Sequence, residues 1–240
     1  MTYDEATEGG ATSIDVLDDK VKDRWSRYIG AMGIEAVAQQ AKATVLIIGL
    51  RGVGIEIAKN IVLAGCKELI LYDPGLPSES DLSCQFFLTP EEAKGNKTMA
   101  QCSQQKLQQL NSYVKVSVSD SDDPCQTIAK ADPSLRVVVL TDYLPESLPW
   151  AINQAARAKG AAFIEAVNLG PFARIFNDFG DKFLVRDVNG EETPEIPVTA
   201  IEKFYKGDEE AEKDFQTLLV TLVKGFKHKL ADKDTVSLRG

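Results

Sequence analysis

Residues 43–65 read ATVLIIGLRGVGIEIAKNIVLAG, and this stretch decides the fold class. The apolar, β-branched run from Ala43 to Leu50 is typical of a strand buried on both faces of a parallel sheet. A glycine-containing turn follows, and then apolar residues recur at helical spacing up to Gly65, a residue type that commonly ends helices. The run ELILY at Glu68–Tyr72 predicts a second strand, closed by Asp-Pro-Gly. Together these elements predict one βαβ unit, the first half of a mononucleotide-binding sheet.

The same alternation continues on both sides of this unit. Apolar residues at helical spacing over 21–40 predict two short helices, because Gly30 and Gly33 interrupt the run. Downstream, the pattern predicts helices over 94–110 and 149–159, and strands over 114–118, 136–140 and 162–167. The predicted fold class is therefore α/β, with a Rossmann-like, doubly wound and mostly parallel sheet.

The pattern changes after Pro171. Short strands are expected over 174–176 and 182–186, and Asn189-Gly190 is a strong hairpin signal. A charged block at 207–213 and a β-like apolar run at 218–223 follow. We therefore expect a mobile tail at 1–13, an α/β domain at 14–191, and a small, incomplete β module with an acidic loop at 192–240.

The composition limits the classes of function. The 240 residues are 44% hydrophobic and 26% charged, and 36 acidic against 27 basic residues give a net charge of −9. This charge is opposite in sign to that of a nucleic-acid-binding domain, so neither nucleic acid nor an anionic membrane is an expected partner. The polar start MTYD lacks the features of a secretory signal, and no apolar run approaches the length of a membrane span, which favours an intracellular protein.

The cysteines and the histidine do not form a recognisable site. The chain has a single histidine, His228, in a lysine-rich segment, where a surface position is expected. The four cysteines lie apart without metal-ligand spacing, so neither a zinc site nor a disulfide framework is expected. We expect reduced, mostly buried thiols at Cys66, Cys84, Cys102 and Cys125. None is expected to be a thioester nucleophile, because no base lies near any of them in sequence.

The glycine turn departs from a phosphate-binding loop. The G-x-G-x-x-G pattern needs a second glycine so that phosphates can approach the backbone, but Arg51 holds that place between Gly49 and Gly54. One interpretation is that Gly52 and Gly54 simply allow tight packing of helix on strand. The other is that Arg51 serves as a cation for an anion.

An acidic residue stands where dinucleotide-binding folds hold the ribose. Asp73 follows the turn by about twenty residues, which is the spacing of a ribose-binding carboxylate. Asp-Pro-Gly is also an ordinary turn, which accounts for this residue without a ligand.

Three longer stretches resemble the N-terminal half of eukaryotic ubiquitin-activating enzymes. They read RWSRY at 24–28, the glycine turn with its helix at 49–65, and DLSCQF at 81–86. The likeness continues through NDFGD at 177–181 and covers about 23–191. Segments at 220–222 and 234–238, with His228 between them, look like pieces of the family's first catalytic-cysteine half-domain.

The resemblance implies a ThiF/MoeB-like domain in a pseudo-dimer. In this family one α/β domain adenylates the ubiquitin C-terminus with ATP and Mg²⁺, while the other is a degenerate copy, and this sequence resembles the degenerate copy. Where the active half has Asn-Arg-Gln-Phe and Asp-Asn, this chain has Ser83-Cys84-Gln85-Phe86 and Asp142-Tyr143, although Lys97 and Asp142 remain. The resemblance therefore implies that ATP and Mg²⁺ belong to the partner half and that this chain binds no cofactor.

The resemblance also implies a role for an arginine near the N-terminus. In the family, such an arginine reaches across the pseudo-dimer to the phosphates in the partner's ATP site, and Arg27 matches it, with Arg24 as a weaker candidate. The expected partners are the active adenylation domain and, indirectly, ubiquitin or a related modifier, in the cytoplasm and nucleus. An apolar face is expected against the partner domain.

Three alternatives remain open at this point. The chain resembles, less closely, the separate small subunit of a SUMO-type activating enzyme. It could also be a self-sufficient nucleotide enzyme, either an adenylyltransferase or an NAD(P)-dependent oxidoreductase that uses Asp73 for the ribose. Both of these enzymes need Arg51 to move aside and need a catalytic base that the sequence does not reveal.

Overall fold

The structure is a computed structural model with two compact units, Met1–Phe183 and Leu184–Gly240. It describes backbone and side chains over 25–145 and 147–183, and backbone over 19–24, 198–206, 216–222 and 227–230. The domain boundary expected after residue 191 stays a prediction, and the expected tail at 1–13 lies outside the described residues.

The first unit is built on a six-stranded sheet in the order β3-β2-β1-β4-β5-β6. Strands β1 to β5 run parallel, and β6 pairs antiparallel with β5. The α/β, Rossmann-like fold class is confirmed. The strands are β1 Thr44–Ile48, β2 Glu68–Tyr72, β3 Lys115–Val118, β4 Leu135–Leu140, β5 Ala162–Leu169 and β6 Phe172–Asp178.

Helices connect the strands and cover the two faces of the sheet. One core cluster joins the sheet to α3 and α4 through residues such as Ile55, Val62 and Met99. A second cluster joins the other face to α5 and α6 through Ile128 and Ile152. The helices are α1 Asp19–Met32, α2 Ile34–Ala41, α3 Val53–Ala64, α4 Met99–Gln108, α5 Pro124–Lys130 and α6 Ser147–Lys159. Short 3-10 helices span Glu79–Ser83 and Glu92–Lys94.

Several boundaries differ from the prediction for local reasons. The break between α1 and α2 falls at Gly33, whose φ is +81°, while Gly30 stays inside α1. Helix α4 begins only at Met99, because Thr98 and Gln101 form a reciprocal capping box that fixes the start of the helix. Helix α5 was not predicted, although Asp123 caps it and proline occupies its first position.

The prediction of a strand over 182–186 is wrong for residues 182 and 183, which are the ones that the structure describes. Lys182 lies in a turn and Phe183 lies outside any strand. Residues 184–186, the Asn189-Gly190 hairpin and the charged block at 207–213 lie outside the described residues.

The second unit carries a three-stranded antiparallel sheet in the order β7-β8-β9. Its strands are β7 Val198–Lys206, β8 Gln216–Leu222 and β9 Lys227–Leu230. The apolar run predicted over 218–223 corresponds to β8, whereas β7 was not predicted. Over the part of the chain that the structure describes, no helix is both long and apolar enough to cross a membrane.

Candidate functional site

The glycine turn joins the carboxyl end of β1 to α3. Gly49 has a φ of +94°, and a Cβ there would lie 2.6 Å from Asp142 Cγ. A Cβ on Gly54 would lie 2.2 Å from the Gly49 carbonyl oxygen, so Gly54 does permit close packing of helix on strand. At Gly52 space is open, and the requirement for glycine is its φ of +41°.

Arg51, at the tip of this turn, lies among three carboxylates. Its Nε donates a hydrogen bond to Asp81 Oδ1 at 3.0 Å. Its Nη1 lies 3.8 Å from Asp73 Oδ2 and 3.7 Å from Asp142 Oδ2. The guanidinium also covers Gly75, where a Cβ would come within 3.1 Å of Nη2. The half-buried side chain is therefore held over the turn by ion pairs with three separate segments.

Burial and mutual repulsion shift the ionisation of these carboxylates. Burial and the charge of Asp73 raise the pKa of Asp142 to about 6. Burial also raises the pKa of Asp73, because it outweighs the hydrogen bonds that this carboxylate accepts. Burial opposes ionisation of Asp81 as well, but hydrogen bonds from Ser78 and the charge of Arg51 prevail and lower its pKa. One guanidinium thus faces three acidic groups in a poorly solvated position.

The hydrogen-bond acceptors of Asp73 are engaged by the backbone. Its Oδ2 accepts the Leu50 N–H at 3.0 Å, and its Oδ1 accepts the Gly75 N–H at 3.1 Å. The first bond ties β2 to the glycine turn, and the second closes the Asp-Pro-Gly turn. These contacts account for a buried carboxylate at this position without a ribose. Its predicted role as a ribose ligand stays a prediction.

The cleft beside the turn is acidic. Its volume is about 260 Å³, and it shares Tyr72, Asp73 and Pro74 with a second cleft of about 380 Å³. Asp73 and Asp142 line it, and Arg51 is the only cation among its lining residues. Lys97, the other residue that resembles the family's active half, is exposed and does not line it.

Arg27 lies far from this cleft, near the opposite end of the sheet. It is exposed on α1, which packs through the buried Trp25 against Tyr113 just before β3, with ring centroids 5.7 Å apart. The Tyr28 hydroxyl donates a 2.7 Å hydrogen bond to Gln40, whose side-chain N–H donates to the Ala64 carbonyl at the end of α3. The structure therefore does not bring Arg27 and Arg51 into one site. The side chain of Arg24 lies outside the described residues.

The remaining candidate residues do not build a second catalytic site. Cys66 and Cys102 are buried and Cys125 is half-buried, as expected, but Cys84 is exposed. Burial raises the pKa of the Cys66 thiol to about 12, so this thiol is unreactive. His228 lies in β9 opposite Val220, and its side chain lies outside the described residues. No cluster of histidine, cysteine or acidic side chains suited to a metal occurs within the described part of the chain.

Comparison with known proteins identifies the family. The model of the ThiF family matches residues 25–171, which include the glycine turn and strands β1 to β5. The chain belongs to the ThiF family. Membership fits the parallel sheet and the glycine turn described above.

Curated ThiF-family relatives include ubiquitin-activating enzymes. The chain is 45% identical over 180 residues to "Ubiquitin-activating enzyme E1 1" of Candida albicans, an alignment that covers 75% of this chain and 17% of the relative. It is 33% identical over 223 residues to "Ubiquitin-like modifier-activating enzyme 1" of Dictyostelium discoideum, covering 93% and 20%. The chain thus spans a fifth or less of the length of these relatives. With the family match, they support the role of an adenylation-type domain.

Solved structures agree on the fold. E. coli MccB with MccA-N7isoASN superposes with a TM-score of 0.54 at 20% identity, covering 67% of this chain and 48% of that chain. E. coli MccB with ATP superposes with a TM-score of 0.50 at 21% identity, covering 62% and 45%. At this identity the likeness concerns the fold alone.

Proposed function

We propose that this chain is the non-catalytic adenylation-type half of a ubiquitin-activating enzyme. In this role it scaffolds an active adenylation domain and supplies Arg27 to the ATP site of that domain. The ThiF-family match and the ubiquitin-activating relatives support the family context. The single observation that carries the non-catalytic role is the placement of Arg51 among three carboxylates in the glycine turn.

The charges in this turn argue against a bound nucleoside triphosphate. Phosphate binding needs free backbone N–H groups and unpaired cations. Here the only lining cation, Arg51, already interacts with Asp73, Asp81 and Asp142, so with all three ionised the group keeps a net negative charge. ATP and Mg²⁺ therefore belong, in this proposal, to the partner half.

Arg27 is suited to act on a partner domain. It is exposed, and no carboxylate among the described residues pairs with it. Its helix is held against the sheet by Trp25 and by the hydrogen bonds of Tyr28, so its position is defined while its side chain is free to extend. A guanidinium can bind phosphate oxygens bidentately and stabilise the charge that adenylation moves.

Calorimetric titration of Mg-ATP into the isolated chain, with NAD as a parallel ligand, tests the non-catalytic role. We expect no binding heat from either ligand. A micromolar isotherm for ATP would instead support a self-sufficient adenylyltransferase. One for NAD would support the oxidoreductase that uses Asp73.

The contribution of Arg27 is tested in a hybrid enzyme. Residues 25–171 of this chain replace the matching region of the Candida albicans relative, and ubiquitin-dependent exchange of ATP with pyrophosphate is measured. We expect Arg27→Ala to lower kcat by about 10- to 100-fold while the KM for ubiquitin changes little. Lys42→Ala, an exposed cation just after α2, is the matched control and should stay within about twofold of the parent. Equal effects of both variants would contradict the role of Arg27.

A further inference from the structure

Arg27 lies on a short helical segment with a break in the helix geometry on each side. Trp25 has non-helical backbone angles inside α1, with φ −106° and ψ 15°. Gly33, with φ +81°, separates α1 from α2. Residues 26–32 therefore form about two helical turns between the two breaks. Because the backbone leaves helical geometry at both ends, the direction of this segment depends on side-chain contacts with the rest of the domain.

One chain of contacts starts at Trp25. Its buried ring packs edge-on against the ring of Tyr113, with centroids 5.7 Å apart. The Tyr113 backbone N–H donates a 3.1 Å hydrogen bond to Asn111 Oδ1. The side-chain N–H of Asn111 donates at 2.9 Å to the Val62 carbonyl, in the last turn of α3. The first break in α1 is therefore joined to the end of α3.

A second chain of contacts starts at Tyr28. Its hydroxyl donates to Gln40 Oε1 at 2.7 Å, and Gln40 Nε2 donates to the Ala64 carbonyl at 2.6 Å. Ala64 is the last residue of α3, and the last four carbonyls of a helix have no partner within the helix. A carbonyl can only accept, so it fixes the orientation of the Gln40 amide and leaves Oε1 for the tyrosine. We call these two hydrogen bonds the Tyr28–Gln40 bridge.

Both chains of contacts end on the same turn of α3, at the carbonyls of Val62 and Ala64. They begin three residues apart on α1, so together they constrain both the place and the rotation of residues 26–32. Arg27 lies between the two attachment points. In a helix it is rotated by about 100° from Tyr28, and its side chain stays exposed.

We propose that Tyr28 and Gln40 are positioning residues for Arg27. This inference rests on the proposed function, in which Arg27 contacts phosphate oxygens in the ATP site of the partner domain. A misplacement of about 1 Å in a group that acts on the reacting atoms can cost about 100-fold in rate. Without the Tyr28–Gln40 bridge, the segment keeps its attachment at Trp25 but can rotate about it. Tyr28 and Gln40 therefore act through Arg27 and do not themselves touch the nucleotide.

Amide hydrogen exchange of the full chain tests the bridge without reference to activity. Tyr28→Phe removes one hydroxyl, and Gln40→Leu removes both hydrogen bonds at similar side-chain volume. We expect the amides of 27–32 to exchange about five- to tenfold faster in either variant. Gln39→Leu, the same change at the exposed neighbouring position of α2, should stay within about twofold of the parent. Unchanged exchange in the first two variants, or an equal change in Gln39→Leu, would overturn the proposal.

Exchange of ATP with pyrophosphate in the hybrid enzyme tests the link to Arg27. We expect Tyr28→Phe and Gln40→Leu each to lower kcat about three- to tenfold, with little change in the KM for ubiquitin. In an Arg27→Ala background, neither should lower kcat by more than about twofold, because no guanidinium remains to be positioned. A loss that persists undiminished in that background would overturn the positioning role.

The same kinetics separate this inference from the proposed function. If Arg27→Ala lowers kcat while Tyr28→Phe and Gln40→Leu do not, the positioning role is overturned and the proposed function stands. If Arg27→Ala leaves kcat unchanged, the proposed function is contradicted, and this inference with it.

Discussion

The glycine turn and the edge strand β6 differ in whether their polar and apolar groups have partners among the described residues. At the turn, backbone N–H groups, a guanidinium and three carboxylates meet in a small space and pair with one another. At the edge, the described backbone groups and large apolar side chains have no covering partner. The polar groups of the turn are paired with one another, whereas the second edge of β6 carries no strand among the described residues.

This difference separates a region whose polar groups are paired from a region with exposed apolar side chains. Buried polar groups are costly without partners, and in the turn those partners come from the chain itself. Exposed apolar area and unpaired strand edges favour association. This contrast agrees with the proposed non-catalytic role, in which the glycine turn binds no nucleotide.

The largest expected effect is at the packed centre of the turn. A Cβ added by Gly54→Ala would lie 2.2 Å from a backbone oxygen that cannot rotate away, so we expect a loss of about 3 kcal/mol or more of unfolding free energy. Gly30→Ala is the control, because space around Gly30 is open within α1 and alanine should stabilise the helix by up to about 1 kcal/mol. Urea titrations measure both. Similar stabilities for the two variants would show that the turn is not tightly packed.

A smaller loss is expected when the cation of the turn is removed. Arg51→Met keeps most of the side-chain volume but leaves three carboxylates without their guanidinium, and we expect a loss of about 2 kcal/mol at neutral pH. Arg136→Met, at an exposed arginine of β4, should change the free energy of unfolding by less than about 0.5 kcal/mol. If both arginines tolerate methionine equally, the turn does not depend on its internal ion pairs.

The third effect depends on pH. Because the pKa of Asp142 is raised from 3.8 to about 6, the folded chain holds this proton more tightly than the unfolded chain does. The Asp142 contribution to stability therefore falls as pH rises from about 4 to about 6. Asp142→Asn cannot ionise, so it should gain about 1–2 kcal/mol on the wild type between about pH 4.5 and about pH 7.5. Asp120→Asn, at an exposed carboxylate, is the control.

Urea titrations of these two variants at both pH values measure this gain. A difference between Asp142→Asn and wild type that stays constant with pH would mean that Asp142 titrates normally.

The smallest effect is expected at the edge. Ile175 is 72% exposed, so Ile175→Lys should change the free energy of unfolding of the monomer by less than about 0.5 kcal/mol. The measurement is urea unfolding at low protein concentration. A loss above about 1 kcal/mol would show that Ile175 belongs to the core of the domain.

The sequence predicts the fold well where local pattern and burial agree. The run at Glu68–Tyr72 forms a strand with the predicted bounds, because its apolar residues are buried in a parallel sheet. The prediction is less accurate for helices whose first residue is fixed by a capping side chain. Helix α4 begins at its Thr98 cap and α5 at its Asp123 cap, and short polar helices of this kind have no strong apolar period.

The site was predictable only in part. The missing second glycine and the presence of Arg51 are visible in the sequence. The partners of Arg51 are not, because Asp73, Asp81 and Asp142 come from segments that only the tertiary fold brings together. For the same reason, the sequence does not reveal a cleft of about 1130 Å³ beside β6, which Trp150 of α6 and Phe176 of β6 both line.

The hydrogen bonds from Tyr28 to Gln40 and from Gln40 to Ala64 have a consequence for Arg27. They join α1 and α2 to the end of α3, so Arg27 lies one residue from a side chain that is fixed to the domain. A group held in this way reaches a nearby acceptor at a high effective concentration, because little orientational freedom remains to be lost on contact. If Arg27 has the proposed role, Tyr28→Phe should therefore lower its effective concentration at the partner's ATP site without altering the arginine itself.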